Sequence, residues 1–253
     1  MKHPTERFSN RVEDYVRYRP TYPQAILPFL EQTCQLRADC AIADIGSGTG
    51  LLTQLFLNYG SPVYAVEPNA AMRGAAEQRL NSHSGFTSLA GRAEEIPLAA
   101  DSVDFITAGQ AFHWFEPALA RREFERILKP GGWVVLVWNQ RLETTPLQRA
   151  YGKMLLAHAP DYAAVNHRNF SGIESLSNFL KPGAFELAEF ENVQHFDFAG
   201  LKGRLMSSSY APTPDQAAHT PLMQALQQLF DQHAESGRVQ FDYVTQLYYA
   251  QIS

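Results

Sequence analysis

"IADIGSGTG", residues 42–50, is the stretch on which the reading of this chain turns. A short apolar run carries an acid, Asp44, and then gives way to glycines at alternate positions, Gly46, Gly48 and Gly50. Glycine lets a backbone bend through left-handed conformations and lets another group approach the main chain closely. The run that follows, "LLTQLFLNYG", puts Leu51, Leu52, Leu55 and Phe56 on one helical face. A helix that starts directly after a strand presents free N–H groups and the positive end of its dipole. Two readings stand at this point: a tight strand-to-helix turn, or the cradle of a nucleotide-like ligand.

Working outward, "PVYAVE" (62–67) is the next strand, and a helix begins at about Asn69 with "NAAMRGAAEQRL". "FTSLAG" (86–91), "VDFITAG" (103–109) and "WVVLVWN" (133–139) continue the strand series. "PALARREFERILK" is a helix stopped by "KPGG". Apolar strands alternating with helices predict an α/β protein, a doubly wound, Rossmann-like sheet buried on both faces. After Asn139 the pattern changes: "TPLQRAYGKMLLAHAP", "GIESLSNFL" and "PLMQALQQLFDQHAES" are helical, while "FELAEFENVQHFDF" and "GRVQFDYVTQLYYAQI" alternate as strands. The expectation is a mostly parallel seven-stranded sheet with its last strand antiparallel. Residues 1–40 form an N-terminal helical flap bent at "RPTYP", 41–139 the ligand-binding core, and 140–253 a helical lid with the strands that complete the sheet.

The totals narrow the function classes. The 253 residues are 45% hydrophobic and 19% charged, an ordinary globular balance. A net charge of −5 and no basic stripe argue against nucleic acid as a partner. The opening "MKHPTERFSN" lacks an apolar core, and no apolar run reaches the roughly 18 residues of a membrane span. Cys34 and Cys40 are the only cysteines and read as reduced thiols, so a cytoplasmic protein is expected. Neither they nor the eight histidines have metal-ligand spacing, so no metal is expected. Oligomeric state is not legible.

The second acid sharpens the first motif. Glu67 ends the second strand about 20 residues after the glycines, where doubly wound sheets place an acid on a ribose. As an alternative, it caps the helix that follows. A dinucleotide fingerprint runs G-x-G-x-x-G, but here the pattern is G-x-G-x-G, with Leu51 where the last glycine would fall. Asp44 would also face an anion toward a pyrophosphate, whereas an amino-acid ammonium group would suit it. A ribose joined to an amino acid through a positive sulfur satisfies both acids, and S-adenosylmethionine is such a molecule.

"IADIGSGTG", "VYAVEPNAAM", "GRAEEIPLAADSVDFITAGQAFHWF" and "ILKPGG" together resemble the successive motifs of class I S-adenosylmethionine-dependent methyltransferases. With "YVRYRPTYP" and "SSSYAP", the chain is similar to the small-molecule group related to trans-aconitate methyltransferase. The resemblance implies that Gly46, Ser47 and Gly48 line the methionine moiety and that Asp44 meets its ammonium group. Glu67 would take the ribose hydroxyls, and Pro68 and Asn69 would lie beside the adenine. Ala93 and Glu94 would offer backbone contacts to the adenine rim, and Gln110 would reach the methionine end with its backbone. Arg19, in a flap with Tyr15, Tyr18 and Tyr22, would pair with the methionine carboxylate. Arg92 stands where many relatives have an aspartate, which leaves the adenine amino group without that contact.

The acceptor side is carried by "AFHWF". His113 is the candidate catalytic residue, as a base or a hydrogen-bond donor to the acceptor, and it doubles as a substrate contact. Trp114 would wall the pocket and Tyr210 would reach the acceptor from the lid. A loop-holding histidine and packing aromatics are the competing readings. The implied function is methyl transfer to a small-molecule carboxylate or hydroxyl. A non-catalytic S-adenosylmethionine- or nucleoside-binding module and an NAD-dependent oxidoreductase are the rivals.

Overall fold

The computed structural model describes residues 12–165, 172–180 and 185–252. The opening stretch read for a leader falls outside them. The helices are α1 (Val12–Tyr18), α2 (Ile26–Cys34), α3 (Leu51–Tyr59), α4 (Ala70–Leu80), α5 (Pro117–Ile127), α6 (Pro146–His158), α7 (Tyr162–Val165), α8 (Gly172–Leu180), α9 (Phe198–Met206) and α10 (His219–His233). The strands are β1 (Ile42–Ile45), β2 (Val63–Val66), β3 (Phe86–Leu89), β4 (Val103–Gly109), β5 (Leu128–Arg141), β6 (Glu186–Phe196) and β7 (Val239–Gln251). They form one seven-stranded sheet in the order β3-β2-β1-β4-β5-β7-β6. β1 to β5 pair parallel, and β7 runs antiparallel between β5 and β6. The expected sheet, with its last strand antiparallel, is what the chain forms.

Two cores sandwich the sheet. Ile42 packs with Leu30 of α2, Phe56 of α3 and Leu80 of α4, while its neighbour Ala43 packs on the opposite face with Phe124 of α5 and Phe179 of α8. That switch between adjacent residues follows from the two-residue period of a strand. A third core joins α6, α9 and α10 through Leu155, Leu205 and Leu226, with Phe241 of β7.

Local signals set several element ends. Asn69 caps α4 by accepting from the N–H groups of Ala71 and Met72, and Thr145 with Pro146 opens α6. At "KPGG" the sequence predicts a strand beginning near Trp133. Instead β5 starts at Leu128, because Leu128 pairs with Val103 before an irregularity, after which Trp133 pairs with Phe105. Strand pairing recruits the stop residues into the ladder, which propensity does not foresee.

β1 lies between β2 and β4, whose connections run to opposite sides of the sheet. This is the switch point at which doubly wound sheets form a crevice outside the carboxyl ends of their strands. α1 closes over that end: the ring of Tyr18 lies where a side chain on Gly203 of α9 would stand.

Candidate cofactor and acceptor site

The three glycines after β1 share left-handed φ values, 69° at Gly46, 57° at Gly48 and 77° at Gly50, but for different reasons. A Cβ on Gly46 would stand 2.6 Å from Cβ of Ala111, and one on Gly50 would stand 2.5 Å from Cδ1 of Leu80. At these two positions the close approach is made by the protein itself. Gly48 alone has ordinary room, 3.5 Å from Cε of Met72. Between β1 and α1 opens a cleft of about 300 Å³, lined by Tyr15, Tyr22, Asp44, Ser47, Gly48 and Gly109 among others. Tyr22 fits there because Gly109, the last residue of β4, leaves room for its hydroxyl.

The polar groups of the turn are largely spent within it. Gly46 and Ser47 both donate to the carbonyl of Val66, at 2.9 and 3.2 Å, and Gly50 donates to Ser47. Gly48 donates to Oε2 of Glu67 at 2.9 Å. A pyrophosphate needs free N–H groups at such a turn, and here four of them already have acceptors.

Asp44 is 1% exposed. Its register partner on β4 is Thr107, whose hydroxyl donates to Oδ1 at 3.1 Å, and Thr53 of α3 donates to Oδ2 at 2.6 Å. Burial pushes its pKa up to about 6; the hydroxyls of Thr53 and Thr107 pull the other way, and the Glu67 charge adds to the rise. Glu67 is 8% exposed, and its second oxygen accepts the N–H of Asn69 at 2.8 Å. Burial raises its pKa too, against the Asn69 and Gly48 hydrogen bonds and the charge of Arg73, which donates to the Glu67 carbonyl at 2.9 Å. Neither carboxylate has a cation within 4 Å among the described residues. Two neighbouring buried anions without an ion-pair partner form a site that favours positive charge.

The other sequence-derived residues lie outside the lining of that cleft. Pro68 is exposed and Asn69 buried. Ala93 is buried, while Glu94 turns its carboxylate to the N–H of Glu116 at 2.7 Å, holding the start of α5. Arg92 is exposed, in a turn closed by the Glu95 N–H. Gln110 follows β4 with φ 57°; its N–H donates to Val137, leaving its carbonyl as the backbone group on offer. His113 and Trp114 are half-buried in the 3-10 turn Phe112–Trp114, with ring centroids 4.6 Å apart. Phe112 anchors that turn, 4.7 Å from Phe179 and 6.2 Å from Trp138.

Residues 43–136 match the family described as methyltransferase domain. The chain is 38% identical over 148 residues to an uncharacterized methyltransferase of Mycobacterium tuberculosis, covering 58% of each chain. It is 32% identical over 155 residues to an uncharacterized methyltransferase-like protein of Schizosaccharomyces pombe, covering 61% of this chain and 59% of the relative. The matched stretch thus spans under two thirds of these curated relatives. In fold the chain is similar to a protein of Anaeromyxobacter dehalogenans provisionally assigned as a type II methyltransferase: TM-score 0.66 at 19% identity, over 93% of this chain and 98% of that one. A SAM dependent methyltransferase from Aquifex aeolicus aligns with TM-score 0.52 at 13% identity, over 97% and 98%.

Arg19 and Tyr210 lie outside the matched stretch. Arg19 lies over the ring of Tyr15 at 4.8 Å and donates to the Ser207 carbonyl at 2.9 Å. Tyr210 stacks edge-on against Tyr162 at 4.9 Å. Sequence reasoning passed over Thr53 and Thr107, the hydroxyls that hold Asp44. Their signal was present in part: Thr107 is a hydroxyl between the apolar residues Ile106 and Ala108 of a buried strand. It also passed over Arg204, which only packing brings to Arg19.

Proposed function

We propose that the protein is an S-adenosylmethionine-dependent methyltransferase that acts on a small-molecule acceptor through a carboxylate or hydroxyl oxygen. The observation that carries this is the pair of buried carboxylates, Asp44 and Glu67, neither of them in an ion pair among the described residues, beside a glycine turn whose N–H groups are already used. Such a turn repels a diphosphate and attracts an ammonium group, which argues against the oxidoreductase reading.

S-adenosylmethionine, when bound, supplies a methyl group on a positively charged sulfur. Asp44 binds the ammonium group, with the Gln110 carbonyl as a second acceptor. Each Glu67 oxygen has a lone pair beyond the one given to Gly48 or Asn69, and these take the ribose hydroxyls. Gly46, Ser47 and Gly48 form the wall along the methionine moiety, and Pro68, Ala93 and Glu94 border the adenine. Arg19 reaches the methionine carboxylate. On the acceptor side His113 takes the proton of a hydroxyl or donates to a carboxylate, and Trp114 and Tyr210 wall the pocket. Much of the rate gain in an in-line displacement comes from alignment, up to about 7–11 kcal/mol.

Titration calorimetry with S-adenosylhomocysteine and with NAD tests the reading. Binding of the first, weakened in Asp44→Asn and in Glu67→Gln, is expected. Preference for NAD, or unchanged affinity in both variants, would overturn it. Binding without methyl transfer to any carboxylate or hydroxyl acceptor would favour the non-catalytic module.

A further inference from the structure

Two guanidinium groups meet where α1 crosses the end of α9. Arg19 comes from the chain just after α1, and Arg204 is carried by α9 itself. Arg19 reaches the carbonyl of Ser207, and Arg204 reaches the hydroxyl of the next residue, Ser208, at 3.1 Å. Arg204 also donates from Nε to the hydroxyl of Tyr243 at 3.3 Å. Burial, and then the neighbouring Arg204 charge, lowers the pKa of Arg19.

Neither arginine has a carboxylate within 4 Å among the described residues, and Nε of Arg19 is buried with no hydrogen-bond partner there. What surrounds Arg204 instead is hydroxyl: burial disfavours its charge, but Tyr243, Tyr210 and Tyr151 outweigh it and hold its pKa above the ordinary value. Burial pushes the Tyr151 hydroxyl well up, so it is neutral near pH 7 and supplies no counter-charge. Arg141 shows the contrast in the same region. It has a carboxylate partner, Glu143, at 3.2 Å, as well as the Tyr162 hydroxyl.

Withdrawing two adjacent cations from water without an anion is costly, and a ligand that brings negative charge removes the cost. Resting on the methyltransferase reading, one anion is the methionine carboxylate at Arg19, whose platform Tyr15 also lines the cofactor cleft. That leaves Arg204 without one. We propose that Arg204 is the anchor for an anionic acceptor, whose carboxylate is held by the Arg204 guanidinium and the Tyr210 hydroxyl. The planar guanidinium offers a paired set of donors that matches a carboxylate. Arg204 thereby determines specificity: it selects acceptors by a charged end and leaves the methylated atom free to differ.

Calorimetric titration of the full chain, loaded with S-adenosylhomocysteine, tests this with succinate and benzoate set against their neutral amides. At least one carboxylate is expected to bind about tenfold or more tighter than its amide. Arg204→Gln should lose that margin, with the affinity for S-adenosylhomocysteine unchanged, and Arg204→Lys should recover part of it. Tyr210→Phe, which removes one hydroxyl and keeps the ring, should weaken carboxylate binding several-fold in a protein with unchanged circular dichroism. Arg19→Gln should instead weaken S-adenosylhomocysteine. Equal affinity for acid and amide, no binding of either acid, or full carboxylate affinity in both Arg204→Gln and Tyr210→Phe overturns the proposal. If S-adenosylhomocysteine itself fails to bind the unaltered protein, the methyltransferase reading falls. The same titrations on the unloaded protein then judge the Arg204 anion site alone.

Discussion

Two regions of this molecule carry opposite charge and form no ion pair among the described residues. Among the described residues, Asp44 and Glu67 at the ends of β1 and β2 lie buried without an ion pair, and Arg19 and Arg204, between α1 and α9, lie without a carboxylate within 4 Å. Elsewhere the chain pairs its charges in the usual way, as in Arg126 with Glu123 at 2.7 Å and Lys129 with Asp104 at 2.9 Å. The difference separates charges that hold the fold from charges kept for a ligand. The acid region is also rigidly built, since strand register and a crowded turn hold it. The cationic region depends on one helix docking against another.

The largest expected effect breaks the acid region by its backbone. Gly46→Ala combines a left-handed φ, worth about 1–2 kcal/mol, with a clash against Ala111 worth about 1–3 kcal/mol. A loss of about 3 kcal/mol in urea denaturation is expected, while Gly48→Ala, which meets no such clash, should lose only about 1 kcal/mol. Equal losses would mean that Ala111 yields freely and that the turn is not crowded.

Charge removal comes next. Asp44→Asn should weaken S-adenosylhomocysteine about ten- to a hundredfold by calorimetry. It should do so without destabilising the fold at neutral pH. The carboxyl of Asp44 has its pKa raised by folding, to about 6. The folded state therefore holds its proton where the unfolded state has released it. The associated stability is fully present below about pH 4 and is lost as pH rises through about 6, a change on the order of 3 kcal/mol. The Asn variant escapes that loss, so it should melt higher than the unaltered protein at pH 7.5 and lose the advantage at pH 4. A lower melting temperature at pH 7.5 would count against a carboxylate kept for a ligand.

The same titration predicts the pH profile of binding. A cationic ammonium group prefers ionised Asp44, so affinity should fall about tenfold from pH 7 to pH 5 and level off above pH 7. Asp44→Asn should flatten that profile. The smallest effect addresses the cationic side: Gly203→Ala puts a side chain where Tyr18 lies and should loosen α1 from α9. Faster proteolysis near residues 12–18, at a cost of about 1 kcal/mol or less in global stability, is the expected result. Equal proteolysis would show that α1 docks without that notch.

The acid region could be read from the chain because its parts are local. Asp44, the glycines and Glu67 lie within one strand-turn-helix-strand unit, and the short apolar run around Asp44 with helical spacing at Leu52 and Phe56 announced that unit. The partners of Asp44 were harder to read. Thr107 is paired to it by register across some sixty residues, and the side chain that crowds Gly46 belongs to Ala111. The early start of β5 escaped for the same reason, being decided by pairing with Val103.

The order of elements, the parallel sheet, the bend after β1 and the two acids beside it follow from residue types and spacings alone, because hydrophobic period and glycine conformation act over a few residues. Which glycine meets protein and which faces the cleft, which hydroxyls hold Asp44, and the meeting of Arg19 with Arg204 are decided only when distant segments pack. Electrostatic and steric contacts between them depend on distances in space, which a linear pattern does not encode.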